Sequence, residues 1–126
     1  MQNMIYQEKI QRVLLYGYSN GGQGIPYVVT HTELEGYFDK AIVIDGGYNT
    51  NLKEAATSVE MKGYGAENSN QGKSFMQGTF RQTVGDDKLT VVGGASHRTI
   101  LKDSYEIDKK GEGISDMLEW IYGIEP

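Results

Sequence analysis

Three short, unbroken apolar runs punctuate the chain, and each stops at glycine or at an Asp-Gly pair. Arg12-Val13-Leu14-Leu15-Tyr16 ends at Gly17, Ala41-Ile42-Val43-Ile44 at Asp45-Gly46-Gly47, and Leu89-Thr90-Val91-Val92 at Gly93-Gly94. Runs this short, bounded by turn residues and rich in branched side chains, predict strands apolar on both faces, as in a parallel sheet covered by helices. Ser58–Lys62 alternates instead of running continuously, stops at Gly63, and is read as a further strand.

Between these runs the apolar spacing lengthens. From Asn20 to about Glu35, Ile25, Val28, Val29 and Thr32 share one face of a predicted helix. Phe75, Met76, Thr79, Phe80 and Val84 repeat near the helical period before the last strand. Ile114, Met117, Leu118 and Ile121 do so after it, with Gly123 where that helix would stop. Gln2–Gln11 reads as helix, and Asn51–Thr57 as a short helix capped by Asn51. The glycine- and asparagine-containing stretch from Gly63 to Lys73 reads as a loop. The order is α-β-α-β-α-β-α-β-α, which predicts one α/β domain over residues 1–126: a mainly parallel four-stranded sheet with flanking helices.

Composition narrows the function classes. The chain has 126 residues, 17 Gly, 2 Pro, no Cys and a formal net charge of −5. That length suits one domain with a real core. An acidic surface repels phosphates and argues against a nucleic-acid partner. No stretch reaches the roughly 18 apolar residues of a membrane helix. Met1–Gln11 is polar and carries no apolar signal-peptide core, which, with the absence of cysteine, fits a cytoplasmic protein. His31 and His97 are too far apart for a local metal motif. Neither a metal nor a cofactor is expected.

Chemistry concentrates at two strand ends. In Gly17-Tyr18-Ser19-Asn20-Gly21-Gly22 a predicted strand leads in and a helix leads out, with Ser19 at the hinge. Such a turn holds serine in a strained conformation and lifts its Oγ above the sheet edge. Gly17 and Gly21 are expected to let strand and helix approach without Cβ clashes. The helix N-terminus, notably the Asn20 N–H, is placed to stabilise an oxyanion. A plain glycine-rich connection, or phosphate binding at the same helix terminus, would use the same residues.

The second end is Gly93-Gly94-Ala95-Ser96-His97, directly after the last strand. In a parallel sheet the ends following Tyr16 and Val92 share one edge. A neutral imidazole there can take the serine proton and return it to the leaving group. An ordinary surface-loop histidine is the plain alternative. His31, inside a predicted helix, reads as structural or solvated.

The sequence strand-Gly-Tyr-Ser-Asn-Gly-Gly-helix, a histidine after the last strand, and a final amphipathic helix resembles the C-terminal half of the α/β-hydrolase family, over the whole chain. The resemblance implies the chain order Ser, acid, His, with Ser19 and His97 matching the first and last members. It implies acyl transfer to water on a carboxylic ester, with a small acyl substrate and no cofactor. It places the acid after the strand preceding the histidine strand, which favours Glu67, or one strand earlier, which gives Asp45. Asp86 and Asp87 precede the last strand and so lie at its opposite end, about 17–20 Å away.

The family's earlier strands, and the early loop that supplies a second oxyanion donor, have no counterpart here. A fragment of a longer enzyme, a half that pairs with another chain, and a reduced domain that has lost activity would each account for this. The strand at 12–16 is then expected to be a sheet edge, used for a homodimer or for a missing N-terminal half. A non-catalytic binding or assembly module is the alternative from another class. Glu67-Asn68-Ser69-Asn70-Gln71-Gly72-Lys73-Ser74 also comes one residue short of a phosphate-loop pattern, lacking its first glycine.

Overall fold

The computed structural model describes residues 13–31, 33 and 36–101. The helices expected at Gln2–Gln11 and around Ile114–Ile121 lie outside these residues. Among the described residues four strands alternate with three helices: β1 (Leu14–Tyr18), α1 (Asn20–Thr30), β2 (Lys40–Ile44), α2 (Leu52–Ser58), β3 (Glu60–Ala66), α3 (71–84) and β4 (Leu89–Val92), with a short 3₁₀ turn at Asp86–Lys88 before β4. The α3 helix is π-wound over Gln71–Phe80 and α-helical over Arg81–Val84, and the Arg81 N–H reaches the Met76 carbonyl five residues back. Among the described residues no helix is long and apolar enough to cross a membrane.

All strand pairs are parallel and the sheet order is β1-β2-β3-β4. Crossovers between parallel strands are right-handed, so steps taken in one direction put every crossover helix on the same face. The core shows this arrangement. Ile25 and Val29 of α1, Leu52 and Ala55 of α2, and Phe75, Met76 and Phe80 of α3 bury against Ala41, Val43 and Met61 of the sheet. The opposite face gathers Ile42, Ile44, Tyr64, Ala66 and Val92, with Ala95 and Ile100 from beyond β4 and Tyr18 at their margin. The apolar run of β2 thus serves both faces at once, and β4 places Leu89 against one cluster and Val92 in the other.

Several element boundaries differ from the sequence expectation. The first strand runs to Tyr18 instead of stopping at Tyr16, so Gly17 lies buried inside it. The first helix ends at Thr30, not near Glu35, and His31 caps it in an extended conformation with its ring 5.7 Å from that of Tyr27. Asn51 precedes α2 but does not cap it with its side chain, which donates to Thr30 Oγ1 at 3.2 Å.

The largest difference is at Gly63–Lys73, where β3 continues through Ala66 and α3 begins at Gln71. The glycines misled because they serve packing here, not turning. A Cβ at Gly63 would lie 2.5 Å from the Phe80 ring, and one at Gly65 would lie 2.8 Å from Met76 Cβ. Glycine in this strand lets α3 press against the sheet.

Candidate active site

Parallel strands bring their C-terminal ends to one edge, and Ser19, Asp45 and His97 follow three of those ends. Ser19 follows β1 directly and adopts φ 56, ψ −122, a region that L residues rarely occupy. Its N–H donates to the Ile44 carbonyl at 3.0 Å, and its carbonyl accepts the first α1 bond, from Gln23 N–H at 3.0 Å. Backbone bonds on both sides therefore hold the sharp turn. The Ser19 side chain does not cap its own helix. The first-turn N–H groups of Asn20, Gly21 and Gly22 have no carbonyl within the helix to pair with, so they form a donor-rich terminus beside Oγ.

The expected glycine pair is half corrected. A Cβ at Gly17 would lie 2.6 Å from both the carbonyl carbon and oxygen of Gly21. A Cβ at Gly22 would lie 2.9 Å from the Gly17 carbonyl oxygen, whereas one at Gly21 would meet open space. Gly17 and Gly22 are the residues that let strand and helix close on one another. Gly21 supplies only its backbone, because its α-carbon faces outward at the start of the helix.

His97 is positioned by its own short turn. Ser96 Oγ accepts from Thr99 N–H at 3.2 Å, and Thr99 Oγ1 accepts from Ser96 N–H at 2.9 Å, a reciprocal pair like a helix capping box. Ile100, fully buried, anchors the turn to the sheet. The Tyr18 hydroxyl donates to the His97 carbonyl, and the two rings stack at 5.1 Å with 21° between their planes. Held in this way, the imidazole has its Nε2 2.8 Å from Ser19 Oγ.

The carboxylate on the other ring nitrogen is Asp45, with Oδ2 2.6 Å from His97 Nδ1. A carboxylate can only accept, so Nδ1 carries the proton and Nε2 is left to accept from the serine hydroxyl. Asp45 is fully buried, at left-handed φ 46, and accepts from Ala66 N–H at 2.9 Å and from the Ser69 hydroxyl at 2.7 Å. Glu67, the residue favoured from the sequence, is not brought to the imidazole. It is exposed, and its Oε1 accepts from Gly94 N–H at 3.0 Å. The physical reason is the length of β3. Tyr64 pairs with Ile44, and β3 runs on to Ala66, carrying Glu67 past the end of β2 and against the loop that follows β4. There its N–H donates to Val92 and that of Asn68 to Ala95. Glu67 thus braces the loop that carries His97.

Asp86 lies before β4, as the strand order requires, and pairs with Arg81 at 3.0 Å. The phosphate-loop-like segment folds differently from a phosphate cradle. Ser69 Oγ takes the Gly72 N–H at 2.7 Å and the Ser69 carbonyl takes the Lys73 N–H at 3.0 Å. Sequence reasoning gave Tyr18 and Ser69 no part in this group, although both touch it. The Ser-x-x-Thr pair at Ser96 and Thr99 was a readable sign of a capped turn around His97. Comparison with family models, with curated proteins and with solved structures finds no match for the chain.

Proposed function

We propose that the chain is a serine hydrolase of the α/β-hydrolase type that transfers an acyl group from a carboxylic ester to water. The observation that carries this reading is the continuous contact Ser19 Oγ to His97 Nε2 at 2.8 Å and His97 Nδ1 to Asp45 Oδ2 at 2.6 Å. Three residues separated by 78 and 52 positions meet at one sheet edge in the order of hydrogen bonds that nucleophilic acyl transfer needs.

Ser19 Oγ attacks the ester carbonyl while its proton passes to His97 Nε2. The carbonyl oxygen becomes an oxyanion, and the Asn20 N–H at the start of α1 supplies one contact to it. The tetrahedral intermediate collapses, the alcohol leaves with the proton from Nε2, and the acyl group stays on Oγ. Water then repeats the sequence, giving its proton to Nε2, and the carboxylic acid leaves as Oγ regains its own. Asp45 keeps the imidazole in the Nδ1–H tautomer and offsets its positive charge. A purely connecting glycine turn gives no reason for Ser19 to hold a strained conformation with its side chain turned away from capping the helix and onto an imidazole. On this reading β1, with β2 as its one partner among the described strands, is the edge along which a second chain adds.

A fluorophosphonate probe tests the proposal. The folded wild-type chain is expected to be labelled once, and Ser19→Ala to abolish labelling. Absence of label on the wild type, or label that survives Ser19→Ala, overturns the reading.

A further inference from the structure

We propose that Ser69 is a positioning residue of this same group, one that fixes the rotation of the Asp45 carboxylate through its hydroxyl. The inference rests on the reading of Ser19, His97 and Asp45 given above and adds a residue to it. Ser69 is 5 % exposed, and its Oγ stands 2.7 Å from Asp45 Oδ2 and 2.7 Å from the Gly72 nitrogen. The direction of both bonds is fixed by chemistry. The Gly72 N–H can only donate, so Oγ accepts there, and its single proton points to Asp45. Oδ2 therefore receives two donors, Ser69 O–H and His97 Nδ1–H, while Oδ1 receives Ala66 N–H at 2.9 Å.

These donors come from different places. Asp45 directly follows β2, Ala66 ends β3, Gly72 lies in the first turn of α3, and Ser69 sits in the connection between the last two. A carboxylate can turn about its Cβ–Cγ bond. One donor on each oxygen, Ala66 from the last residue of β3 and Ser69 from the connection that follows it, stops that rotation with Oδ2 facing the imidazole. The Gly72 N–H, at the positive end of α3, polarises the Ser69 hydroxyl and strengthens its bond to the carboxylate. The segment whose sequence came near a phosphate-loop pattern is thus used to hold an acid in place. Ser69 lies two residues beyond Glu67 and acts on Asp45, not on the imidazole itself.

The test compares Ser69→Ala and Ser69→Thr with the wild-type chain by three measurements. These are the thermal midpoint, the fluorophosphonate inactivation kinetics over a range of probe concentrations, and the low-field proton resonance of His97 Nδ1–H. Removing a hydrogen bond to a charged group is expected to slow the maximal inactivation rate of Ser69→Ala roughly tenfold. The concentration for half-maximal rate should stay unchanged, and the resonance should shift or broaden. Ser69→Thr, which keeps the hydroxyl, is expected to recover both rate and resonance. If Ser69→Ala, measured below its midpoint, reacts at the wild-type rate with an unaltered resonance, Ser69 is packing alone and the proposal is overturned. If the wild type does not react but shows a resonance that Asp45→Asn removes, acyl transfer fails as a reading. The Ser69 proposal is then still decided by the resonance in Ser69→Ala.

Discussion

Asp45 and Glu67 are both carboxylates at strand ends on the same edge, and they do different things because of where each strand stops. Asp45 is fully buried and its carboxylate is met by three donors, whereas Glu67 is exposed and accepts from one backbone N–H. The two make opposite predictions under isosteric substitution. Asp45→Asn keeps the shape but loses an acceptor-only partner for Nδ1–H, so the imidazole loses its tautomer. Fluorophosphonate labelling is expected to slow on the order of 10³–10⁴-fold. Glu67→Gln still accepts from Gly94, and labelling should stay within about twofold of wild type. The reverse outcome would return the acid role to Glu67. Ser19 and Asp45 also share left-handed backbone at φ 56 and φ 46, the two non-glycine residues so placed among those described. Residues held there cost about 1–3 kcal/mol each, and such strain gathers where side-chain aim matters more than backbone ease.

At the scale of elements, the β1–α1 pair is a close join of backbone against backbone, and glycine makes it possible. A methyl group on Gly17 would strike the Gly21 carbonyl at 2.6 Å, backbone against backbone, with no flexible side chain to yield. Gly17→Ala is expected to destabilise by about 2–3 kcal/mol as strand and helix are pushed apart. Gly21→Ala has open space in the first turn of an exposed helix face and should be neutral or stabilise by about 0.5–1 kcal/mol. Denaturant melts of the two variants check this contrast. The π-wound α3 makes a similar approach against Gly63 and Gly65, so its bulky Phe75, Met76 and Phe80 face a stretch of strand without side chains on that side. Both joins converge on the site: one sets Ser19, and the other sets the β3–α3 connection that meets Asp45.

For the whole molecule, the strand order grades stability across the sheet. In β2, Ala41–Ile44 are all buried, as are residues 61–66 of β3, and each of these strands has a neighbour on both sides. In β1, Leu14 is 39 % and Tyr16 53 % exposed, and β2 is the strand's one described partner. Hydrogen exchange is therefore expected to be slowest in β2 and β3, which open only with the whole domain, and faster in β1. The proposed pairing of a second chain along β1 adds that its protection rises with protein concentration. Faster exchange in β2 or β3 than in β1 would contradict the sheet order.

Among the described residues, the sequence alone determined the alternation of strand and helix, the parallel sheet, the span of β4 and the meeting of the Ser19 and His97 strand ends at one edge. Those follow from apolar period and from alternation of strand and helix, which are local or topological and so are written along the chain. Tertiary structure decided how far β3 runs, because Gly63 and Gly65 look like turn residues until Phe80 and Met76 are seen lying over them. That extension in turn decided which carboxylate meets His97, since two more residues of strand carry Glu67 beyond the end of β2. It also decided the use of Ser69, whose partners Asp45 and Gly72 lie on either side of it in sequence but close around it in space. A hydrogen bond depends on distances of a few tenths of an ångström, and residue spacing does not hold that information until the elements are packed.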